Sequence, residues 1–317
     1  MPSPKPLPSA FSDRAFAVPV AVASGVTVSR LRAGDLDAPF HGVRAPLGRT
    51  RSFRDHVRAA LPRLRPGDYF SHLAALALVG ADVIGSQHSP VDVSSLSPLA
   101  RVRARGFRGH EIGAESVRLG AVGGVPAVHP VDAWCQLAVH ASVTELVLVG
   151  DALVRRRKPI AQRGDLRDAV KRWAGRRGAG RLREAEALVR DRTDSPRETR
   201  LRLAAVDHGL PEPVVNFPVY DEHGVLVAIL DLAYPEYRVG LEYDGDHHRT
   251  DAVQFLHDVE RLDTLSALGW RDIRITKEHR GDLLTAALER VRSALRERGW
   301  SGAAARPRSV AKGGRRR

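Results

Sequence analysis

The chain has 317 residues, 43% of them hydrophobic, enough for two or three packed domains and too many for a wholly disordered protein. Its formal net charge of +13 favours a polyanionic partner, nucleic acid or an anionic surface, over an acidic one. A single cysteine excludes an internal disulfide and a multi-cysteine zinc site, and no run reaches the roughly 18 apolar residues of a membrane span.

Residues 1–12 are rich in Pro and Ser and predict a disordered end without an apolar signal core. Residues 13–60 read as a helix, a turn at Gly25, a second short segment ending at Arg32, and a strand pair or wing around Gly42. That is the order of a winged helix-turn-helix, in which Ser29, Arg30 and Arg32 face a DNA groove. A small helical cap with solvated arginines is the alternative. Residues 61–154 predict a mixed α/β domain, with a helix over 70–80, strands at 91–93, 117–122 and 125–128, and helices from Pro130 and over 145–154. Cys135, beside Trp134, reads as a buried inert thiol compatible with a reducing cytoplasm. His72, His88, His110, His129 and His140 show no metal-ligand spacing and read as surface or satisfied core histidines.

Residues 155–194 open with Arg155, Arg156 and Arg157 and predict a basic helical linker broken by Gly175, Gly178 and Gly180. It is either a phosphate-contacting hinge or a solvated face. Residues 300–317 carry arginines and a lysine without an acid and predict a disordered basic tail suited to non-specific phosphate binding.

Residues 195–299 are the most informative. Ser195-Pro196-Arg197-Glu198 is a helix start, with Ser195 as N-cap and Glu198 at the third position. Strands follow at 213–220, 225–232 and 238–244, then a helix over 251–268, a strand over 270–276 and a helix over 281–298. The order is αβββαβα, and the overall fold class is α/β, α+β for the whole chain. Strand alternation points Val239, Leu241 and Tyr243 one way and Glu242 and Asp244 the other. Asp231, at the end of the preceding strand, lies beside Glu242. Carboxylates interrupting apolar strands need a cation, and a hard divalent ion takes oxygen ligands. Mg²⁺ or Mn²⁺ at such a cluster polarises a phosphoryl oxygen and acidifies a bound water, the chemistry of phosphodiester hydrolysis.

Glu198, Asp231 and Glu242-x-Asp244, in this order, resemble the PD-(D/E)XK nuclease fold. Asp231 to His248, then Asp258-x-x-Arg261 and Gly269-Trp270, more closely resembles endonuclease-like domains related to very-short-patch mismatch-repair endonucleases, over about the last third of the chain. The resemblance implies that Asp231, Glu242 and Asp244 bind Mg²⁺ or Mn²⁺ and that Glu198 orients water or a second ion. It implies that His248, or its neighbour His247, is the acid/base. Asp244 stands where that pattern carries a lysine, a place Lys277 can fill only through space, and the zinc cysteines of mismatch-repair enzymes are missing. Glu198 has an alternative as the return half of a capping box, Asp244-Gly245 as a hairpin turn, and Asp258 with Arg261 as a simple helical ion pair. Gly25-Val26 to Leu36, Phe40-His-Gly-Val43 and Phe70-Ser-His-Leu-Ala-Ala resemble winged-helix proteins of the abortive-infection antitoxin type.

The expectation is a metal-dependent endonuclease acting on double-stranded DNA, with Arg30, Arg32, Arg155, Arg156, Arg157 and Arg261 as candidate DNA contacts. The alternative is an antitoxin-like DNA-binding regulator whose nuclease-like domain does not cut. A nuclease acting on RNA is a third reading, which charge does not separate from the first.

Overall fold

The computed structural model describes residues 4–86, 89–244 and 252–302, without the side chains of 244 and 252–259. It is a mixed α/β protein with several sheets, divided into two compact units. The first holds residues up to Val154 together with Lys158–Val189; the second holds Arg155–Arg157 and the chain from Arg190 on. None of the described helices is long and apolar enough to cross a membrane.

The first unit begins with β1 (Phe16–Ala17), α1 (Val18–Ala23), β2 (Leu36–Asp37), β3 (Val43–Pro46) and α2 (Phe53–Ala59). The strands form a small antiparallel sheet in the order β1-β3-β2. Between α1 and β2 the expected second helix is one 3-10 turn, Arg30–Arg32. Arg30 there is clasped by Asp35 through two hydrogen bonds of 2.8 and 2.7 Å, so it serves the local fold, while Arg32 is exposed. The end read as disordered also takes part: Phe11 is buried and packs on Phe16 with ring centroids 4.8 Å apart.

A second sheet follows, from β4 (Asp68–Phe70), α3 (His72–Leu78), β5 (Val91–Leu96), β6 (Phe107–Ile112), β7 (Leu119–Val122), β8 (Val125–Val128), α4 (Pro130–Leu137) and α5 (Val143–Leu153). Its strand order is β6-β5-β4-β8-β7. Trp134 on α4 is fully buried and its indole N–H donates to the Leu146 carbonyl at 2.8 Å, tying α4 to α5. Ser142 and Glu145 cap α5 reciprocally. Cys135 is buried and burial pushes its thiol up to about 12, so it stays protonated and unreactive.

Of the stretch expected to be a basic helical linker, Lys158–Val189 is part of this unit. It forms α6 (Arg163–Arg172) and α7 (Ala179–Leu188), which bury Leu166, Leu182 and Ala185. The arginines mask an apolar stripe at helical spacing. Gly178 enters α7 with φ +85°, and a Cβ there would stand 2.3 Å from the Ala138 carbonyl oxygen.

The second unit runs α8 (Pro196–Asp207), β9 (Val214–Tyr220), β10 (Leu226–Tyr234), β11 (Val239–Asp244), α9 (Ala252–Ala267), β12 (Arg271–Thr276) and α10 (Asp282–Glu297), the αβββαβα order expected. The sheet order is β12-β11-β10-β9, antiparallel except for β11 with β12. The crossover through α9 makes that last pair parallel. One core gathers Leu201 of α8, Leu232, Leu241, Ile273 and Val291 of α10; another joins Leu230 and Ala233 to Leu265 of α9. Trp300, placed in the basic tail by sequence, is buried in the first of these cores.

Replacing Gly178 by Ala imposes both an unfavourable φ and a clash with backbone. We expect a loss of about 2–4 kcal/mol in urea denaturation. Gly180→Ala, inside α7 with open space around its Cβ, is expected to leave stability unchanged or raise it by up to about 1 kcal/mol. Equal losses for the two variants would contradict this packing.

Candidate functional site

Three adjacent strands of the second unit carry acids. Asp231 lies inside β10 rather than at its end, one residue before the Leu232–Leu241 pairing with β11. Its carboxylate accepts the Tyr243 backbone N–H at 2.8 Å. Glu242 of β11 stands opposite Arg274 of β12, and Gly240 opposite Asp272. Burial pushes Asp231 up to about 7, against the Tyr243 hydrogen bond and with Glu198, Glu242 and Asp272 adding their repulsion. Burial pushes Asp272 up to about 6, with Glu242 raising it further and Arg274 and Arg261 opposing.

Two arginines partly offset these acids. Arg261 of α9 clasps Glu242 with both guanidinium nitrogens, at 2.5 and 2.9 Å. Arg274 reaches Asp272 only as an ion pair of 3.7 Å, and both buried carboxylate oxygens of Asp272 lack a hydrogen-bond partner. In the structure the counter-charge that meets Glu242 is Arg261. The same contact turns Arg261 toward Glu242. Its bidentate fork suits carboxylate and phosphate alike.

Glu198 is buried on α8, next to its Ser195 N-cap. It accepts the Asp194 backbone N–H at 2.9 Å and the Asn216 amide at 2.8 Å. The capping reading thus holds in a shifted form, one residue before the cap, and the carboxylate still lies close enough to raise Asp231. Arg156 is ion-paired with Asp194 in this unit; Arg155 is half-buried and Arg157 exposed. His247 and His248 lie outside the described residues, as do the side chains of Asp244 and Asp258. Lys277 lines an open cavity with Arg197, Arg200, Tyr243 and Arg280. Tyr243 alternates with Glu242, so that cavity opens from the other sheet face.

Asp272 lies outside the acidic motif of the sequence, which runs from Glu198 to Asp244. Alternation alone puts Asp272 and Arg274 on one face, opposite to Ile273 and Ile275 of the core.

The donors present are hard carboxylate oxygens, one pair unsatisfied, a type suited to Mg²⁺ or Mn²⁺ rather than to a thiolate- or imidazole-seeking ion, but the oxygens of Asp231, Glu242 and Asp272 do not all lie within 4.8 Å of one another. The raised acids fix a sign for pH. A carboxyl whose folded pKa exceeds its unfolded value of 3.8 stabilises the fold below 3.8, and that stability is lost as pH rises through about 7 for Asp231 and about 6 for Asp272. The second unit is expected to melt lower at pH 8 than at pH 5. Asp231→Asn should raise stability at pH 8 by on the order of 1–3 kcal/mol and flatten the pH dependence. A steeper dependence in that variant would contradict the electrostatics described here.

No family model matches the chain, and no solved structure matches it. Two curated proteins of Mycobacterium tuberculosis, uncharacterized protein MT2308 and uncharacterized protein Rv2248, are each 30% identical to it over 204 residues, 63% of this chain and 71% of each relative. The chain belongs to the family of these two mycobacterial proteins.

Proposed function

We propose that the chain is a metal-dependent endonuclease that hydrolyses DNA phosphodiester bonds in its second unit, with the first unit as an attached DNA-binding module. The observation that carries this reading is the under-neutralised acid cluster of Asp231, Glu242 and Asp272. It sits in an αβββαβα unit whose order and motif resemble the PD-(D/E)XK nucleases. The basic balance of +13 suits a polyanionic substrate, and the buried thiol suits the cytoplasm.

Asp231, Asp272 and Glu242 would hold Mg²⁺ or Mn²⁺, which polarises a phosphoryl oxygen and acidifies a water. Tyr243 N–H fixes the Asp231 carboxylate. Asn216 and the Asp194 N–H fix Glu198, which orients the attacking water. If Glu242 turned to such an ion, Arg261 would turn to a phosphate with the same two-pronged geometry. His248 remains the candidate acid/base by resemblance.

The Arg261 clasp, with Asp244 in place of the motif lysine, favours a second reading: an antitoxin-like DNA-binding regulator with a non-cutting nuclease-like unit. Plasmid nicking by the full chain separates the two. The endonuclease cuts with Mg²⁺ or Mn²⁺, stops in EDTA, and loses at least 100-fold in rate as Asp231→Asn. Salt-sensitive duplex binding without cutting in any of these metals supports the regulator and defeats the enzyme.

A further inference from the structure

We propose that His72, Asp92 and His110 of the first unit bind a first-row transition ion, zinc foremost. One ligand atom from each lies within 4.8 Å of the others, and among the described residues theirs is the only such group. They converge through the fold rather than through local spacing. β5 and β6 pair in parallel with Asp92 opposite Arg108, so His110, two residues further along β6, meets Asp92 diagonally, and His72 is the first residue of α3. Two imidazoles and a carboxylate are a borderline donor set, suited to zinc and its neighbours rather than to Mg²⁺.

The local geometry favours an ion in several independent ways. His110 Nε2 and an Asp92 oxygen are 2.9 Å apart. Tetrahedral zinc with bonds near 2.0–2.1 Å needs its ligands about 3.3 Å apart, an opening of a few tenths of an ångström. The ion replaces the proton shared by that pair, and the proton leaves to solvent. His72 Nδ1 meets the Ser71 hydroxyl at 3.1 Å, which leaves Nε2 to face the ion. The two imidazoles stack with ring centroids 3.9 Å apart, so both rings face the same small space.

His72 is also held at φ +46°, a left-handed conformation unusual for a residue with a side chain. Gln136 accepts its backbone N–H at 3.1 Å and keeps it there. Strain retained at a buried histidine marks a position chosen for where its ring points. His72 and Asp92 line an open cavity of about 190 Å³, large enough for an ion with water to complete its coordination. Arg108 approaches Asp92 at 3.7 Å and is half exposed, so it can withdraw to solvent when the ion arrives.

The site differs in donors from the carboxylate cluster of the second unit, so the two are separable. The test uses the EDTA-treated, dialysed full chain and Zn²⁺ alone, titrated against a chromogenic chelator. The expected result is a tight zinc site in the wild type, weakened at least tenfold in Asp92→Asn and in His110→Ala and unaffected by Asp231→Asn. Zinc bound equally by wild type and by the Asp92→Asn/His110→Ala double variant overturns the proposal, because the ion then sits elsewhere. Circular dichroism checks that each variant is folded. Should either variant unfold, Co²⁺ added to the wild type decides: a low-coordinate nitrogen–oxygen site gives visible absorption at one equivalent, and its absence overturns the proposal.

Discussion

The β10–β11–β12 pairing gathers acids that Arg261 and Arg274, the arginines facing them, cancel only in part. Leu232 against Leu241 and Gly240 against Asp272 fix the register, and the register fixes which acids meet. Slipping one strand by a residue would turn Leu241 out of the core and Glu242 into it, so apolar packing holds the acids in place. The cost of that arrangement is visible in Asp231 and Asp272, both pushed toward protonation. Sites where packing enforces unfavourable electrostatics are those where a ligand has most to offer.

Arg261 is the hinge of the functional reading. As it stands, its guanidinium satisfies Glu242 and leaves Asp231 and Asp272 under-neutralised. A permanent clasp would make the second unit a scaffold. A clasp that yields to a divalent ion would couple opening of the acid site to presentation of a phosphate-gripping arginine. The two readings differ in one contact, not in fold.

Much of the second unit was legible in the sequence. Ser195-Pro196 announced α8, Gly269 closed the α9 segment, and period-two alternation marked the strands to within a residue or two. The meaning of Glu242 was only half legible: alternation gave its face, yet not the arginine that meets it from a helix later in the chain. Asp272 was missed because it lies outside the Glu198–Asp244 motif, on an edge strand that meets β11 only after the α9 crossover. In the first unit β6 was missed, since Phe107–Ile112 mixes polar and apolar positions and owes its strand character to pairing with β5. His72 and His110 looked unrelated for the same reason: only the sheet makes them neighbours. One clue was available, because Asp92 interrupts an apolar strand just as Asp231 does, and the reasoning applied to one applies to the other.

The decisive measurement is a crystal structure of the full chain grown with Mn²⁺, with anomalous scattering recorded to locate the ion. The expected result is a manganese peak bounded by the carboxylates of Asp231 and Asp272 or Glu242, with Arg261 displaced from Glu242. An intact Arg261–Glu242 clasp with no manganese beside Asp231 would contradict a metal-dependent site in this unit.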